Sequence, residues 1–533
     1  ENLMSTRIYE SCHKLVSAAA LSTALLVPAA TMAGEIELKS ADGTVNLVGE
    51  FVEFSDNNYV IRTALGDLRI AASRVSCVGA DCPTFGTADA DIKIVGSDVV
   101  GSGVMPLILS GYAAFWSAEA TQTATSRDGE FITSLIGDDG FGDPIGSYLV
   151  TSTSSADGFE RLIDRSAQIA MSARRITPNE ARALRADGAG NMIDPESEHI
   201  IAVDSLVVIT HPNNPVKSIT LEQLRAIYSG AITNWADVGG NDAPIVLVDR
   251  DVSTGTRDVF MNGVYGDQSP APLSDTIIAA DNNQMAAQVN ADENAIGYVG
   301  YAFQRGASAL SLVNDCGLTM TPDAFSARTS EYALQRLIYL YTRDDTVDEA
   351  TMDLAEFADS AAADEVIAKA GFIDLGIDRR PQTLDSSRAR ALLDPSVDAY
   401  EGGVMREMLS QMVDYDRLST TFRFRTGSQN LDARGLQSLE RLTDYLMAQP
   451  EGTKIMVVGF TDSVGAFDSN RSLSESRAEQ VRQELINFAG DRLPGIEIGV
   501  AGYGEVAPSA CNTSDNERQI NRRVEVWIEA ANG

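Results

Sequence analysis

Histidine is nearly missing from this chain: 533 residues contain three, His13, His199 and His211. His13 falls in the expected signal segment, and neither His199 nor His211 has an obvious serine or cysteine partner motif, which argues against a hydrolase built on histidine. Cationic residues are also scarce, with 41 Lys and Arg against 76 Asp and Glu. The net charge of -35 repels nucleic acid and anionic membrane surfaces, so any anion site has to be made locally. Cysteine is sparse, and no second CxxC-type pair exists to cage zinc, so neither a metal nor a cofactor is expected. Past the first 33 residues, no segment approaches the ~20 uninterrupted apolar residues that span a bilayer.

What is present describes an exported, folded protein. Hydrophobic residues make up 44% and charged residues 22%, as in globular domains, and 533 residues are too many for one core. Arg7 and Lys14 precede an apolar run from Leu15 to Ala30 and small residues up to Ala33. This is the layout of a secretory signal peptide occupying 1–33. Cys77, Cys82, Cys316 and Cys511 lie beyond it, and export favours disulfides. "CVGADC" is short enough to close on itself, so Cys77 is expected to pair with Cys82. Cys316 and Cys511 fall in different expected domains, as free thiols or as a cross-link.

The chain divides by pattern. Residues 34–83 alternate apolar and polar positions between turns such as "ADG", "DNN" and "LGD", which predicts a small β-meander. Residues 88–376 alternate strand and helix patterns, implying α/β layers with a mostly parallel sheet and, from the length, two lobes. Residues 377–415 are polar and helical in propensity, a linker with helical segments. Residues 416–531 read strand, helix, strand, helix, strand, strand. Leu436, Leu439, Leu442 and Leu446 stripe the first of these helices, and Val524, Val526 and Ile528 alternate along the last strand.

Three loops of the middle region, "GSGVMP", "TSTSSADGF" and "DRDVSTGTRDVF", end at predicted helix N-termini, where free N–H groups and the helix dipole favour an anion. Arg250 adds a charge and a hydrogen-bonding fork. Together with "IYSGAITNW" and "AIGYVGYAF", these loops resemble the phosphate-binding substrate-binding proteins of ABC transporters over nearly all of 88–376. The resemblance implies a two-lobed periplasmic-binding-protein fold closing on a dehydrated oxyanion. It also implies contacts from Ser154 or Ser155, Arg250, Thr254, Gly255 and Thr256, with backbone from Val104 and Met105. In that family an aspartate follows the serine of the loop that here reads "AMSARRI", and Ala173 stands in its place. Arg174, next to it, joins the oxyanion candidates. Loss of the acid weakens discrimination between phosphate and sulfate, with Asp157 or Asp98 as substitutes.

In the C-terminal region, a helical projection puts Leu473, Ala478, Val481, Leu485 and Phe488 on one face, with Arg477 inside that arc. An arginine at a core edge needs a carboxylate, from the chain or from a ligand. Asp462, Gly465, Asn470 and Arg477, with "GYGE" and "NRRVEV", resemble the OmpA-like peptidoglycan-binding domain over 416–531. The resemblance implies that Asp462 takes the ammonium, and Arg477 the carboxylate, of diaminopimelate in the stem peptide, with Asn470 and Arg522 as secondary candidates.

These readings describe a multidomain α/β and α+β protein of the periplasm, wall-associated, that performs no covalent chemistry. It holds peptidoglycan with its C-terminus and phosphate or a similar oxyanion with its middle domain. An ABC transporter or outer-membrane proteins are further candidate partners. The competing expectation is a degenerate middle domain serving as a spacer.

Overall fold

The computed structural model describes residues 35–530, apart from 41–45, 56–57, 65, 72–74, 79–81, 83–89, 126, 138–143, 253, 267–269, 271–272, 394–398, 425–430, 432 and 494. The expected signal segment lies outside the described residues. The chain divides between Thr84 and Phe85 into two compact units.

The first unit is an antiparallel sheet in the order Gly66–Ala71, Asn58–Thr63, Asn46–Ser55, Glu35–Ser40, Val75–Val78. The period of two in its sequence places Ile36, Leu38, Tyr59 and Ile61 inside. Cys77 and Cys82 are bonded, which closes the loop after the last strand on itself.

The second unit is organised around one long strand, Glu198–Thr210, buried along almost its whole length. Its sequence "EHIIAVDSLVVIT" is a near-continuous apolar run because both faces are covered. Its first part pairs with Gln335–Tyr341, and its end, from Leu206 to Thr210, pairs with Ala295–Gly300. Around the first part Ile94, Leu109, Val150, Ile338 and Leu354 form the core of one lobe. Around the end Val207, Trp235, Phe260 and Tyr298 form the core of another. Parallel pairs join Ile169–Ser172, Ile92–Ser97 and Pro144–Thr153 in the first lobe, and Ile277–Ala279, Val246–Arg250 and Ala295–Gly300 in the second. The sheet is not mostly parallel as expected. A hairpin, Ala118–Ala124 with Glu130–Gly137, and the two crossing strands are antiparallel, because a chain that enters and leaves the second lobe runs both ways.

The C-terminal part of this unit is a sheet in the order Arg379–Pro381, Tyr415–Arg423, Arg523–Glu529, Lys454–Phe460, Glu497–Gly502. Helices Ala433–Met447 and Phe467–Ala489 cover one face, burying Leu439, Leu442, Leu446, Val481 and Leu485 against Phe422, Val457 and Val526. Leu436, Leu473 and Phe488 are exposed instead of buried. The face of the longer helix is rotated from the expected arc because its contact is made by small residues: a Cβ on Gly459 would stand 1.9 Å from the Ser474 carbonyl.

Val524, Val526 and Ile528 alternate as expected, but Arg523, Glu525 and Trp527 on the opposite face are buried too. Residues 377–415 are the cause. The helical segments expected there are present as Ser387–Ala391 and Ala399–Met412, but they pack onto the sheet beside the edge strand Arg379–Pro381, and Met405, Met408 and Met412 belong to one core with Phe460 and Trp527. A methionine stripe at helical spacing fills the uneven surface under Trp527. Cys316 and Cys511 are bonded, joining the second lobe to the C-terminal domain. Among the described residues, no helix is long and apolar enough to cross a membrane.

Candidate functional site

The anion candidates are built on the ends of parallel strands. Gly96 ends one of them with φ +145°, and a Cβ there would stand 2.1 Å from the Met171 carbonyl, so only glycine permits the approach. The short helix Asp98–Gly101 beyond it brings Asp98 and Val99 up to the second lobe. A Cβ on Gly255 would stand 3.3 Å from Val99 Cγ2 and 3.8 Å from both Asp98 carboxylate oxygens. The start of helix Gly255–Tyr265 therefore faces the first lobe directly.

Arg250 closes the strand Val246–Arg250 and is 8% exposed. Its Nη2 donates to the Ala280 carbonyl at 2.9 Å, while Nε is buried and has no partner among the described residues. The neighbouring Asp249 does not neutralise it: that carboxylate accepts from Arg257 Nε at 3.0 Å and from the Tyr298 hydroxyl at 2.5 Å. Thr254 is the N-cap residue, and its hydroxyl donates to the Asp251 carbonyl at 2.8 Å. Thr256 follows Gly255 in the first turn.

Across the cleft, Ser154 caps helix Ser155–Ile163 by accepting from the Asp157 N–H at 3.2 Å. Ser155 Oγ accepts from the Ala173 N–H at 3.1 Å. A hydroxyl that accepts keeps its own proton to donate, so both serines retain a donor for an oxyanion. Asp157 accepts from the Thr153 hydroxyl at 2.9 Å.

Two candidates are not arranged as expected. Arg174 forks onto Glu180 at 2.9 and 2.7 Å, and Glu180 belongs to the capping box of helix Pro178–Ala186. That pairing, against the cost of burial, holds the Arg174 pKa above its ordinary value. Val104 is fully buried, and its N–H donates to the Val100 carbonyl at 3.0 Å, so this donor is spent. Met105, also buried, begins helix Met105–Phe115.

The C-terminal candidates converge at the ends of Lys454–Phe460 and Arg523–Glu529, beside the start of Phe467–Ala489. Asp462 is 8% exposed. One of its oxygens accepts from the Val464 N–H at 3.0 Å, and the other meets Arg522 Nη1 at 2.6 Å. Asn470 is buried and donates to the Asp462 carbonyl at 3.3 Å and to the Glu505 carboxylate. Arg477 lies over the Phe424 ring, 5.5 Å from its centroid, and its Nη1 is buried with no partner among the described residues. Burial, then the Arg522 charge, push its pKa below the ordinary guanidinium value, with Asp462 opposing them. Asp462, Asn470, Arg477 and Arg522 thus form one cluster, but the carboxylate binds Arg522 and leaves Arg477 open. Sequence reasoning missed Phe424 and Glu505, although Glu505 is the last residue of the "GYGE" motif.

A model described as "PBP superfamily domain" matches residues 84–360, and the OmpA family model matches residues 423–522. The phosphate-binding protein PstS of Borreliella burgdorferi is 26% identical over 227 residues, 42% of this chain and 77% of that protein. Outer membrane porin F of Pseudomonas aeruginosa is 36% identical over 114 residues, 21% of this chain but only 32% of the porin. A solved ABC-type phosphate transport receptor from Vibrio cholerae shares 25% identity, with 53% of this chain and 98% of that one covered, at a TM-score of 0.41. With a two-lobed domain matched over more than half of the chain and a separate sheet domain following it, this chain belongs to the PBP superfamily and carries an OmpA-family domain at its C-terminus.

Proposed function

We propose that the chain is an exported periplasmic envelope protein that holds peptidoglycan non-covalently through Asp462 and Arg477 and binds phosphate or a similar oxyanion between its two lobes. The observation that carries the reading is the Nη1 of half-buried Arg477, an atom that is itself buried and has no partner among the described residues. A guanidinium nitrogen that reaches neither water nor a carboxylate is costly, and a ligand carboxylate removes that cost. Asp462, placed on the same cluster, supplies the opposite charge for an ammonium on the same ligand, and diaminopimelate in the stem peptide carries both groups. Arg250, the serine hydroxyls of Ser154 and Ser155, and the N-terminus of Gly255–Tyr265 support an oxyanion in the cleft. The PstS relatives, named as phosphate-binding proteins, support phosphate as that oxyanion. Scavenging, sensing or buffering of phosphate, or its delivery to an ABC transporter, are roles open to a wall-held binding domain.

Sedimentation with isolated peptidoglycan tests the wall reading. The protein is expected in the pellet, and Asp462→Ala or Arg477→Ala, still folded, in the supernatant; equal sedimentation of both variants defeats the assignment. A second reading, a cleft that has lost its ligand and acts as a spacer, is favoured by Ala173, the Arg174 to Glu180 pairing and the spent Val104 N–H. Calorimetric titration of phosphate-free protein separates the two. Heat with phosphate that Arg250→Ala abolishes supports binding, and silence with both phosphate and sulfate supports the spacer.

A further inference from the structure

The C-terminal domain is fastened to both lobes of the binding domain. Its hold on the second lobe is covalent, Cys511 to Cys316. Both ends of that bond are stiff. Buried Asn521 accepts from the N–H groups of Ser509 and Ala510 at 2.8 and 3.0 Å and donates to the Ala510 carbonyl and to Asn512, which fixes the loop of Cys511. Asn314 accepts from the N–H groups of Cys316 and Leu318 at 3.3 and 2.8 Å, which fixes the other.

The hold on the first lobe is made by one face of helix Ala433–Met447. Gln437 donates to the carbonyls of Ile200 and Asp359 at 2.8 and 3.0 Å. Arg441, one turn on, donates from Nη1 to both Asp364 oxygens at 3.0 and 2.9 Å and from Nη2 to the Asp359 carbonyl at 2.8 Å. Asp359 and Asp364 flank the buried Ala363 of the first-lobe core. Between these anchors Arg417 forks onto Glu331, just before the strand Gln335–Tyr341 that crosses between the lobes.

A hinge rotation of one lobe against the other has to change the separation of the two anchors. The domain between them is packed on both faces of one sheet, with a core on each, so it does not stretch. The lobes are close enough that a Cβ on Gly255 would stand 3.3 Å from Val99 Cγ2. We infer that the C-terminal domain is a brace across the hinge that holds the lobes closed, so that opening the cleft requires the Gln437 and Arg441 seam to part. Through this brace, wall attachment and anion exchange become coupled functions of one body.

The test measures the distance between the lobes directly, in the full chain without ligand, so that it stands whether or not the anion reading holds. Unnatural amino acids at the exposed positions Glu119 and Glu222 carry spin labels, one on each lobe. The wild type is expected to give one narrow distance distribution. Gln437→Ala with Arg441→Ala, and separately Cys316→Ser with Cys511→Ser, are expected to broaden it and shift it to longer distances. Should the first variant fail to fold, the second and mild reduction of the exposed Cys316 bond in folded wild type carry the test. Unchanged distributions in the severed proteins overturn the brace. The dissociation constant for inorganic phosphate, a readout that rests on the proposed anion site, is expected to rise by between about fivefold and about 150-fold in the same variants. If the protein binds no phosphate, the anion reading fails while the distances still decide the inference; if severed and intact protein bind phosphate equally tightly, the inference fails.

Discussion

Replacing Arg417 by leucine probes the seam between the binding domain and the C-terminal domain where it is most deeply charged. Arg417 meets Glu331 through two hydrogen bonds of 3.1 and 2.6 Å, and its side chain is 8% exposed against 15% for the carboxylate. Removing one partner of a buried pair leaves the other desolvated and typically costs about 3 to 5 kcal/mol. Glu331 would keep the Ser509 hydroxyl at 2.9 Å and the attraction of Arg523, so we expect the lower end, about 3 kcal/mol. Glu525, the second acid at the seam, loses less, because Arg388 at 3.0 Å, Arg523 at 2.8 Å and Trp527 at 2.9 Å remain. The double variant Arg417→Leu with Glu331→Leu removes both charges and is expected to recover about 2 kcal/mol of the single variant's loss. The assay is urea unfolding followed by tryptophan emission, where Trp527, bonded to Glu525, reports on this seam. A single-variant loss below about 1 kcal/mol, or a double-variant loss equal to the sum of the two singles, would refute a formed, buried pair.

Acid should weaken the same seam. Burial raises the Glu331 pKa, but the charge and hydrogen bonds of Arg417 outweigh it and bring it down to about 2; Glu525 is also lowered, by Arg388, Arg417 and Arg523 against its burial. Folded pKa values below the unfolded one mean stabilisation that is full above about pH 4.5 and disappears as pH falls through the folded values. Glu331 alone accounts for about 3 kcal/mol, so the urea midpoint is expected to hold steady from pH 7 to 5 and drop steeply between 4.5 and 2; a flat profile contradicts the pairing. Gly459→Ala places a Cβ against the Ser474 carbonyl and is expected to cost about 3 kcal/mol and to weaken peptidoglycan sedimentation by shifting the helix that carries Arg477. Gly452→Ala, with φ +85° but open space around it, should cost about 1 kcal/mol and leave sedimentation unchanged, and equal effects of the two would contradict the close approach.

The architecture was largely legible in the sequence because its strands and helices carry clear periods, and because the loop motifs of the middle domain and the gapped motif around Asp462 and Arg477 are long. What stayed hidden depends on partners distant in the chain. Nothing local to Asp462 says that Arg522, 60 residues on, binds it. The pairing of Cys316 with Cys511 follows from how two domains pack, and their separation of 195 residues carries no trace of it. Arg174 was within reach of sequence reasoning: "TPNE" is a capping-box pattern, and its Glu180 lies six residues beyond the arginine it holds. In 377–415 the helices are legible but their packing onto the sheet is not, because methionine and alanine make a fainter stripe than leucine, and a strand as short as Arg379–Pro381 has no readable alternation.

The helix charge that looked misplaced in the sequence is explained by the competition around Asp462. A lone arginine near that carboxylate would simply bind it, and the site would be filled by its own residues. Arg522 takes that role instead at 2.6 Å, and Val464 holds the other oxygen, so Arg477 has no counter-charge in contact among the described residues. The arrangement costs stability, because burial and the second guanidinium both disfavour the charge on Arg477. It leaves a cation for the ligand carboxylate proposed above, while Asp462 would share its charge between Arg522 and the ammonium of the same ligand. The chain's net charge of -35 does not oppose such a zwitterion, since exposed charges are screened beyond about 8 Å at physiological salt while a buried guanidinium nitrogen acts at contact. An acidic protein can therefore offer an open cation to a zwitterionic ligand, provided that its own carboxylates do not neutralise that arginine first.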